Sequence, residues 1–265
     1  MTVELGINHL MAPDLDPVQF IQVAAEAGAD AVSLFVNPMG PDNTFPLVTR
    51  ESTGNVAQAL RDHGVRLGNF DPFALAPNVE ISQYQAALEL AGELGAQGIT
   101  ALLFDSDEAR VIDHLARLCE LAKPYGLTVG IEFMGLTPAW NSLSDTLALV
   151  ERVGQGNLAV TLDILHLVRT GGTVAEVAAL NAETISHVQL CDGADLNVSQ
   201  DYGVEAASDR LAPGDGVFPL IDFLQALPRG VRMELEAPTT VTRPALERLT
   251  DAVTKARSVL SLARL

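Results

Sequence analysis

The chain has 265 residues, 48% of them hydrophobic, and a formal charge of -18 from 16 Lys and Arg against 34 Asp and Glu. That balance argues against nucleic acid, whose phosphate backbone is bound by clustered cations, and no run approaches the ~20 apolar residues that cross a bilayer. The opening MTVELGINHLMAPDLD lacks the pattern of a secretory leader, and Cys119 and Cys191 give no disulfide framework, so a reduced, cytoplasmic protein with neither a membrane nor a nucleic-acid partner is expected.

One unit recurs along the chain. A segment with apolar residues at i, i+3, i+4 and i+7, the mark of a helix with one buried face, ends at Gly and is followed by a short apolar strand. FIQVAAEAGADAVSLF is the first clear copy, VAQALRDHGVRLGNF and AALELAGELGAQGITALLF the next two. HLARLCELAKPYGLTVGIEF and TLALVERVGQGNLAVTLD continue the series. The strands are near-continuous apolar runs, as parallel strands covered on both faces require. Strands are predicted near 5–9, 31–35, 65–70, 98–104, 128–133, 158–163, 185–190 and 231–236. Eight strands with intervening helices predict an α/β fold, a single (β/α)8 TIM barrel over 1–265, with an open doubly wound sheet as the alternative. No Gly-x-Gly-x-x-Gly follows the first strand and no phosphate-binding Gly-x-x-x-x-Gly-Lys-Ser/Thr loop occurs. The longest stretch outside the repeat, 191–218, is expected to be a functional loop.

In such a barrel the active site lies at the C-terminal ends of the strands. The ends supply Asn8 and His9 on strand one, Asp71 on strand three, Asp105 on strand four and Glu132 on strand five. Strand six adds Asp163 and, just beyond it, His166; strand seven adds His187, Gln189 and Asp192; strand eight adds Glu234 and Glu236. Taken singly, each has a structural explanation: Asp163 as a helix N-cap, His166 as a hydrogen-bonded core group, Gln189 as a buried amide. Recurrence on four successive strands favours a site. Carboxylates converging on one mouth repel each other and lose hydration, which a divalent cation relieves. Glu132, Asp163, Gln189 and Glu236 form an oxygen-rich set of the kind that suits Mg2+ or Mn2+.

GIEFMG, TLDILHL, HVQLCDG, RLAPGDG and LEAP, in that order, resemble the xylose isomerase-like TIM barrels. Within that family the likeness is to the sugar phosphate isomerase/epimerase group, with hydroxypyruvate isomerase, ketose 3-epimerases and inosose dehydratase among its members. The resemblance runs from about residue 5 to 240. It implies one divalent metal ion, Mn2+ or Mg2+ ahead of Co2+ or Zn2+, held by Glu132, Asp163, Gln189 and Glu236, with Gln at 189 where many relatives carry His. It further implies that His166 touches a substrate oxygen, that His187 lies on the substrate or behind the ligands, and that Arg210 holds the substrate's far end. His9 is added as a candidate substrate contact. The EAP ending favours Glu236 over Glu234 as the strand-eight ligand.

The implied reaction is isomerisation or epimerisation of a small hydroxy-ketone or sugar-like substrate through an enediolate, with Glu132 and Glu236 moving the proton. A metal-dependent lyase or dehydratase is the alternative on the same ligands, and a non-catalytic binding barrel comes third. Five His are too few for the trinuclear zinc site of the repair endonucleases on this fold. Phe35, Phe70, Phe73, Phe133, Met134 and Trp140 follow strands two, three and five; if they face the mouth, the substrate is less polar than a simple sugar. No phosphate-binding cluster is evident, and homo-oligomer formation is left open.

Overall fold

The computed structural model describes residues 3–40, 43–197 and 201–265. Its strands are β1 (Leu5–Asn8), β2 (Ala31–Phe35), β3 (Arg66–Leu75), β4 (Gly98–Leu103), β5 (Thr128–Glu132), β6 (Leu158–Asp163), β7 (Ile185–Leu190) and β8 (Met233–Leu235). All pair in parallel in chain order, and β8 returns to β1 to close the barrel. Between them run α1 (Pro17–Glu26), α2 (Thr53–His63), α3 (Gln85–Leu94), α4 (Glu108–Ala122) and α5 (Leu143–Val153). The later connections are α6 (Ile164–Arg169), α7 (Val174–Ala178), α8 (Tyr202–Ser208), α9 (Leu220–Ala226) and, last, α10 (Ala245–Leu262). The predicted (β/α)8 barrel is the fold found.

The helix boundaries follow local chemistry. Asp16 caps α1, accepting from Val18 and Gln19 N–H groups, and Pro17 sits at the first helical position, where its missing N–H costs nothing. α2 and α3 end at Gly64 and Gly95, whose φ of 65° and 73° lie in the left-handed region open to glycine. Outward-facing strand residues such as Val188 and Leu190 pack with Leu88, Leu115 and Leu149 of the helices in one continuous apolar core. Among the described residues no helix is long and apolar enough to cross a membrane.

The bore of the barrel is polar. Asn8 of β1 donates through it to Asp71 of β3 (3.0 Å) and to Glu234 of β8 (3.1 Å). Arg232 closes the lower end, donating to the carbonyls of Gly68 and Ser186 at 3.0 Å each. Two strands depart from the predicted bounds by more than one residue. β3 runs on to Leu75 because its pairing with β4 shifts register between Phe70 and Phe73, around Asp71 and Pro72. β8 is cut to three residues, although the Glu236 N–H still donates to Leu190 (3.0 Å) and continues the ladder. The predicted loop 191–218 contains α8, and its residues 198–200 lie outside the described ones.

Candidate active site

The side chains at the C-terminal ends of β5 to β8 converge on one cavity of about 400 Å3. Glu132 ends β5 and Asp163 ends β6; Asp163 is in register with Gln189 of β7, which is in register with Glu234 of β8. Glu236, two residues on, stands above Glu234 on the bore face. Glu132, Gln189 and Glu236 line the cavity, with Asp163 completely buried behind them.

Polar contacts tie these groups together. His166 in the first turns of α6 places Nε2 3.2 Å from Glu132 Oε1 and 3.8 Å from Asp163 Oδ2. One donor atom from each of Glu132, Asp163 and His166 lies within 4.8 Å of the other two. Arg210 reaches in beyond α8, its Nη1 2.7 Å from Asp163 Oδ2 and 3.0 Å from Glu236 Oε2. Asp163 does two jobs, since its Oδ1 accepts the Leu165 N–H (2.7 Å) and caps α6. Gln189 donates from Nε2 to Glu236 (3.0 Å) and Glu234 (3.2 Å), leaving its buried Oε1 without a donor.

The electrostatics separate the acids. Burial pushes Glu236 well above the usual carboxylate range, and the neighbouring carboxylates Glu132, Asp163 and Glu234 add to this against the opposing pull of Arg210. Burial also raises Asp163, but the Arg210 charge, His166 and the hydrogen bonds it accepts outweigh this and hold it low. Asp71, on the cavity floor, is pushed up to about 7 by burial and by the Glu234 charge. Glu234 stays low despite burial because His187, Ser33 and Asn8 surround it.

These residues fit a divalent cation. Three buried carboxyl groups at the mouth (Glu132, Asp163, Glu236) face one buried arginine, and the buried amide oxygen of Gln189 beside them has no donor. An uncompensated set of hard oxygen donors is what Mg2+ or Mn2+ selects.

His9 lies off the cavity, and His187 lies behind Gln189, one of its two expected places. His9 is completely buried, its ring stacked on Phe20 (4.4 Å) and Phe35 (5.1 Å), with Nε2 donating to the Leu15 carbonyl (2.9 Å). It backs the cavity wall at Phe35 without reaching the cavity, and burial lowers it to about 4. His187 lies one layer below Gln189, its Nε2 3.5 Å from Glu234 Oε1. Gln189 fills the inward position above His187, and the backbone turn after Asn8 carries the His9 ring between Phe20 and Phe35. Asp105 of the strand-four end is likewise engaged in the turn before α4.

Sequence reasoning passed over Tyr202, whose hydroxyl meets His166 Nδ1 at 2.6 Å. Nothing local marks it, since α8 is brought there by the buried Arg169–Glu205 pair. Of the six large apolar residues flagged, Phe35 and Met134 line the cavity, whereas Phe70, Phe73 and Phe133 are buried in the apolar core and Trp140 packs against it. Phe45 and Phe104 join the wall without having been anticipated.

A family model for the xylose isomerase-like TIM barrel matches residues 21–256. The chain belongs to that family. Inosose isomerases from Halalkalibacterium halodurans and Bacillus subtilis are 26% and 24% identical over 56% and 57% of this chain. The matches span about half the length of those relatives, 54% and 56%. A xylose isomerase domain protein from Alicyclobacillus acidocaldarius superposes over the whole of both chains with a TM-score of 0.80 at 23% identity. The IOLI protein, solved with a zinc atom, covers 98% of this chain and 99% of its own with a TM-score of 0.82 at 18% identity. A D-psicose 3-epimerase solved with D-fructose gives 0.75 at 14% identity, covering 99% of this chain and 98% of its own. At these identities the superpositions establish the fold of the family barrel.

Proposed function

We propose that this protein is a divalent-metal-dependent isomerase or epimerase of small hydroxy-ketones, acting in the cytoplasm. The observation that carries the reading is the convergence of Glu132, Gln189 and Glu236 on one cavity beside His166 and Arg210, with Asp163 buried directly behind them. The named relatives, inosose isomerases and an epimerase that takes a ketose, agree with it. Glu132, Asp163, Gln189 and Glu236 would hold the ion, with His166 close enough to join them. Oxygen donors dominate, which favours Mn2+ or Mg2+; the imidazole and the zinc atom of the IOLI protein keep Zn2+ and Co2+ as substitutes. The bound ion would supply Lewis-acid polarisation of a carbonyl.

The protein's own groups do the proton work. β5 and β8 lie on opposite sides of the β6–β7 wall, so Glu132 and Glu236 flank the space between them. One carboxylate takes the proton from the carbon next to the carbonyl, and the electron pair of the C–H bond passes to the carbonyl oxygen. The other acid returns a proton to the opposite face of the same carbon for epimerisation; for isomerisation the proton goes to the former carbonyl carbon, while the hydroxyl proton of the first carbon passes to the former carbonyl oxygen and that hydroxyl becomes the new carbonyl. The face of the substrate from which the proton leaves decides which of Glu132 and Glu236 takes it and which returns it. His166 Nε2, beside Glu132, is placed to hold the substrate oxygen that gains charge. With a charge of -18 and no phosphate-binding loop, no nucleic acid, membrane or phosphorylated partner is proposed.

The test is solvent deuterium exchange into ketoses and hydroxy-ketones by protein loaded with about one equivalent of Mn2+. Exchange is expected, and Glu132→Gln should lower it by about 10²-fold or more, the usual contribution of a general base. Absence of exchange across the panel, or full exchange by Glu132→Gln, would overturn the proposal.

A further inference from the structure

The cavity wall divides into two unlike halves. The β5–β8 side carries the carboxylates, the amide and the arginine described above. The β1–β4 side presents Leu10, Phe35, Met39, Phe45, Leu102 and Phe104, and Leu136 from the loop after β5 extends it. Three of these rim residues remain well exposed: Met39 at 49%, Phe104 at 42% and Leu136 at 44%. Single exposed apolar side chains are ordinary, but large ones gathered on one cavity mark a binding surface.

Polar groups do occur on the floor of the apolar half, and they are engaged with one another. Asp71 accepts from Asn8 (3.0 Å) and Asn69 (3.1 Å), and Asn69 also donates to Thr100 (2.5 Å). A polyhydroxylated chain laid against this side would lose its hydration to carbon. Charge narrows the choice further. Among the described lining residues Arg210 is the sole Lys or Arg, and Asp163 and Glu236 already hold it. Away from the ion proposed above, a phosphate or carboxylate on the substrate would find no free Lys or Arg in the cavity lining.

We infer that the substrate is an uncharged α-hydroxy ketone bearing an aryl or alkyl group. Its oxygens lie at the Glu132–Glu236 end and its apolar group lies against Phe35, Phe45 and Phe104. The orientation of the oxygens rests on the function proposed above; the apolar subsite does not.

Binding and exchange are measured side by side on Mn2+-loaded protein, with phenacyl alcohol, dihydroxyacetone and D-fructose as probes. Calorimetry should show phenacyl alcohol binding about tenfold or more tighter than D-fructose, with a negative heat-capacity change from apolar burial. The double substitution Phe104→Ser, Leu136→Ser should weaken phenacyl alcohol by about fivefold or more and dihydroxyacetone far less, as expected for lost apolar contact. Leu262→Ser, at 66% exposure on α10, serves as the control and should change neither. D-fructose binding as tightly as phenacyl alcohol, no binding of phenacyl alcohol, or an equal loss for both ketones in the rim variant would each overturn the assignment. Selective binding of phenacyl alcohol without exchange of any probe would uphold the substrate class and sink the proton-transfer reading. Exchange into D-fructose in preference to phenacyl alcohol would do the reverse.

Discussion

Gln189 is the residue on which the site turns. Its amide nitrogen is bound by two glutamates, so its oxygen is oriented into a space where no N–H or O–H answers it. A buried acceptor left unpaired costs about 1–3 kcal/mol, a cost that a cation removes. Gln189→Leu keeps the bulk and deletes the oxygen; it is expected to weaken Mn2+ binding about tenfold or more, read by calorimetric titration of metal into protein. Unchanged affinity would take Gln189 out of the ligand set. At this scale the sequence was informative wherever a polar residue broke an apolar strand, because few forces other than function or capping place one there. Asp163 shows that the two explanations need not compete, since one oxygen caps α6 while the other faces Arg210. His9 marks the opposite case. Its position at a strand end drew it into the site, but the backbone turns after Asn8 and delivers the ring between two phenylalanines.

The turn from β4 into α4 shows how an element can take a site-like residue for its own support. The Asp105 carboxylate accepts from the Asp107 N–H (2.9 Å) and from the Arg110 guanidinium, including Nη2 at 2.8 Å. The hydrogen bond from Arg110 draws Asp105 down to about 2. A carboxylate depressed in the folded state contributes stability above its unfolded value, near ~4, and the contribution fades as pH falls from there through about 2. Arg110 is partly open to solvent, so the contribution is discounted to about 1 kcal/mol. Asp105→Asn should therefore lower stability by about 1 kcal/mol near neutral pH. The gap between variant and parent in urea unfolding should narrow as pH drops from about 5 to about 3. A gap independent of pH would show that the carboxylate charge is not what supports the turn. The same turn carries Phe104 at the cavity rim, so its rigidity bears on binding. Elements of this kind were legible as elements, from apolar periodicity and glycine stops, but not in the use of their acids. Whether Asp105 faces the bore or its own helix depends on Arg110, one helical turn away, and no strand pattern encodes that.

Across the whole molecule the sequence and the fold agree because a barrel repeats one local rule eight times. What the rule does not fix is the bore. Here it is filled with polar side chains rather than the usual branched apolar layers, and glycines make room for them. A Cβ on Gly130 would lie 2.3 Å from Thr161 Oγ1 and 2.8 Å from both Cβ and Oγ of Ser186, between the walls of β6 and β7. The pairing of those two strands already shifts register between Val160 and Thr161. β5 therefore approaches a wall with no slack, and Glu132 rides two residues above Gly130 on the same face. Gly130→Ala forces extra volume into this seam and is expected to cost about 1–3 kcal/mol. At ~2–4 °C per kcal/mol for a chain near this size, differential scanning calorimetry should find the melting temperature lowered by roughly 2–12 °C. Because the displaced strand carries Glu132, metal binding should weaken in the same variant; a lowered melting temperature with unaltered metal affinity would mean that the barrel yields elsewhere. The partition of the mouth into an acidic and an apolar half has the same origin. It depends on which aromatics turn inward, Phe35 and Phe104 rather than Phe70 and Phe73, and that is decided by register and by the packing of neighbouring strands.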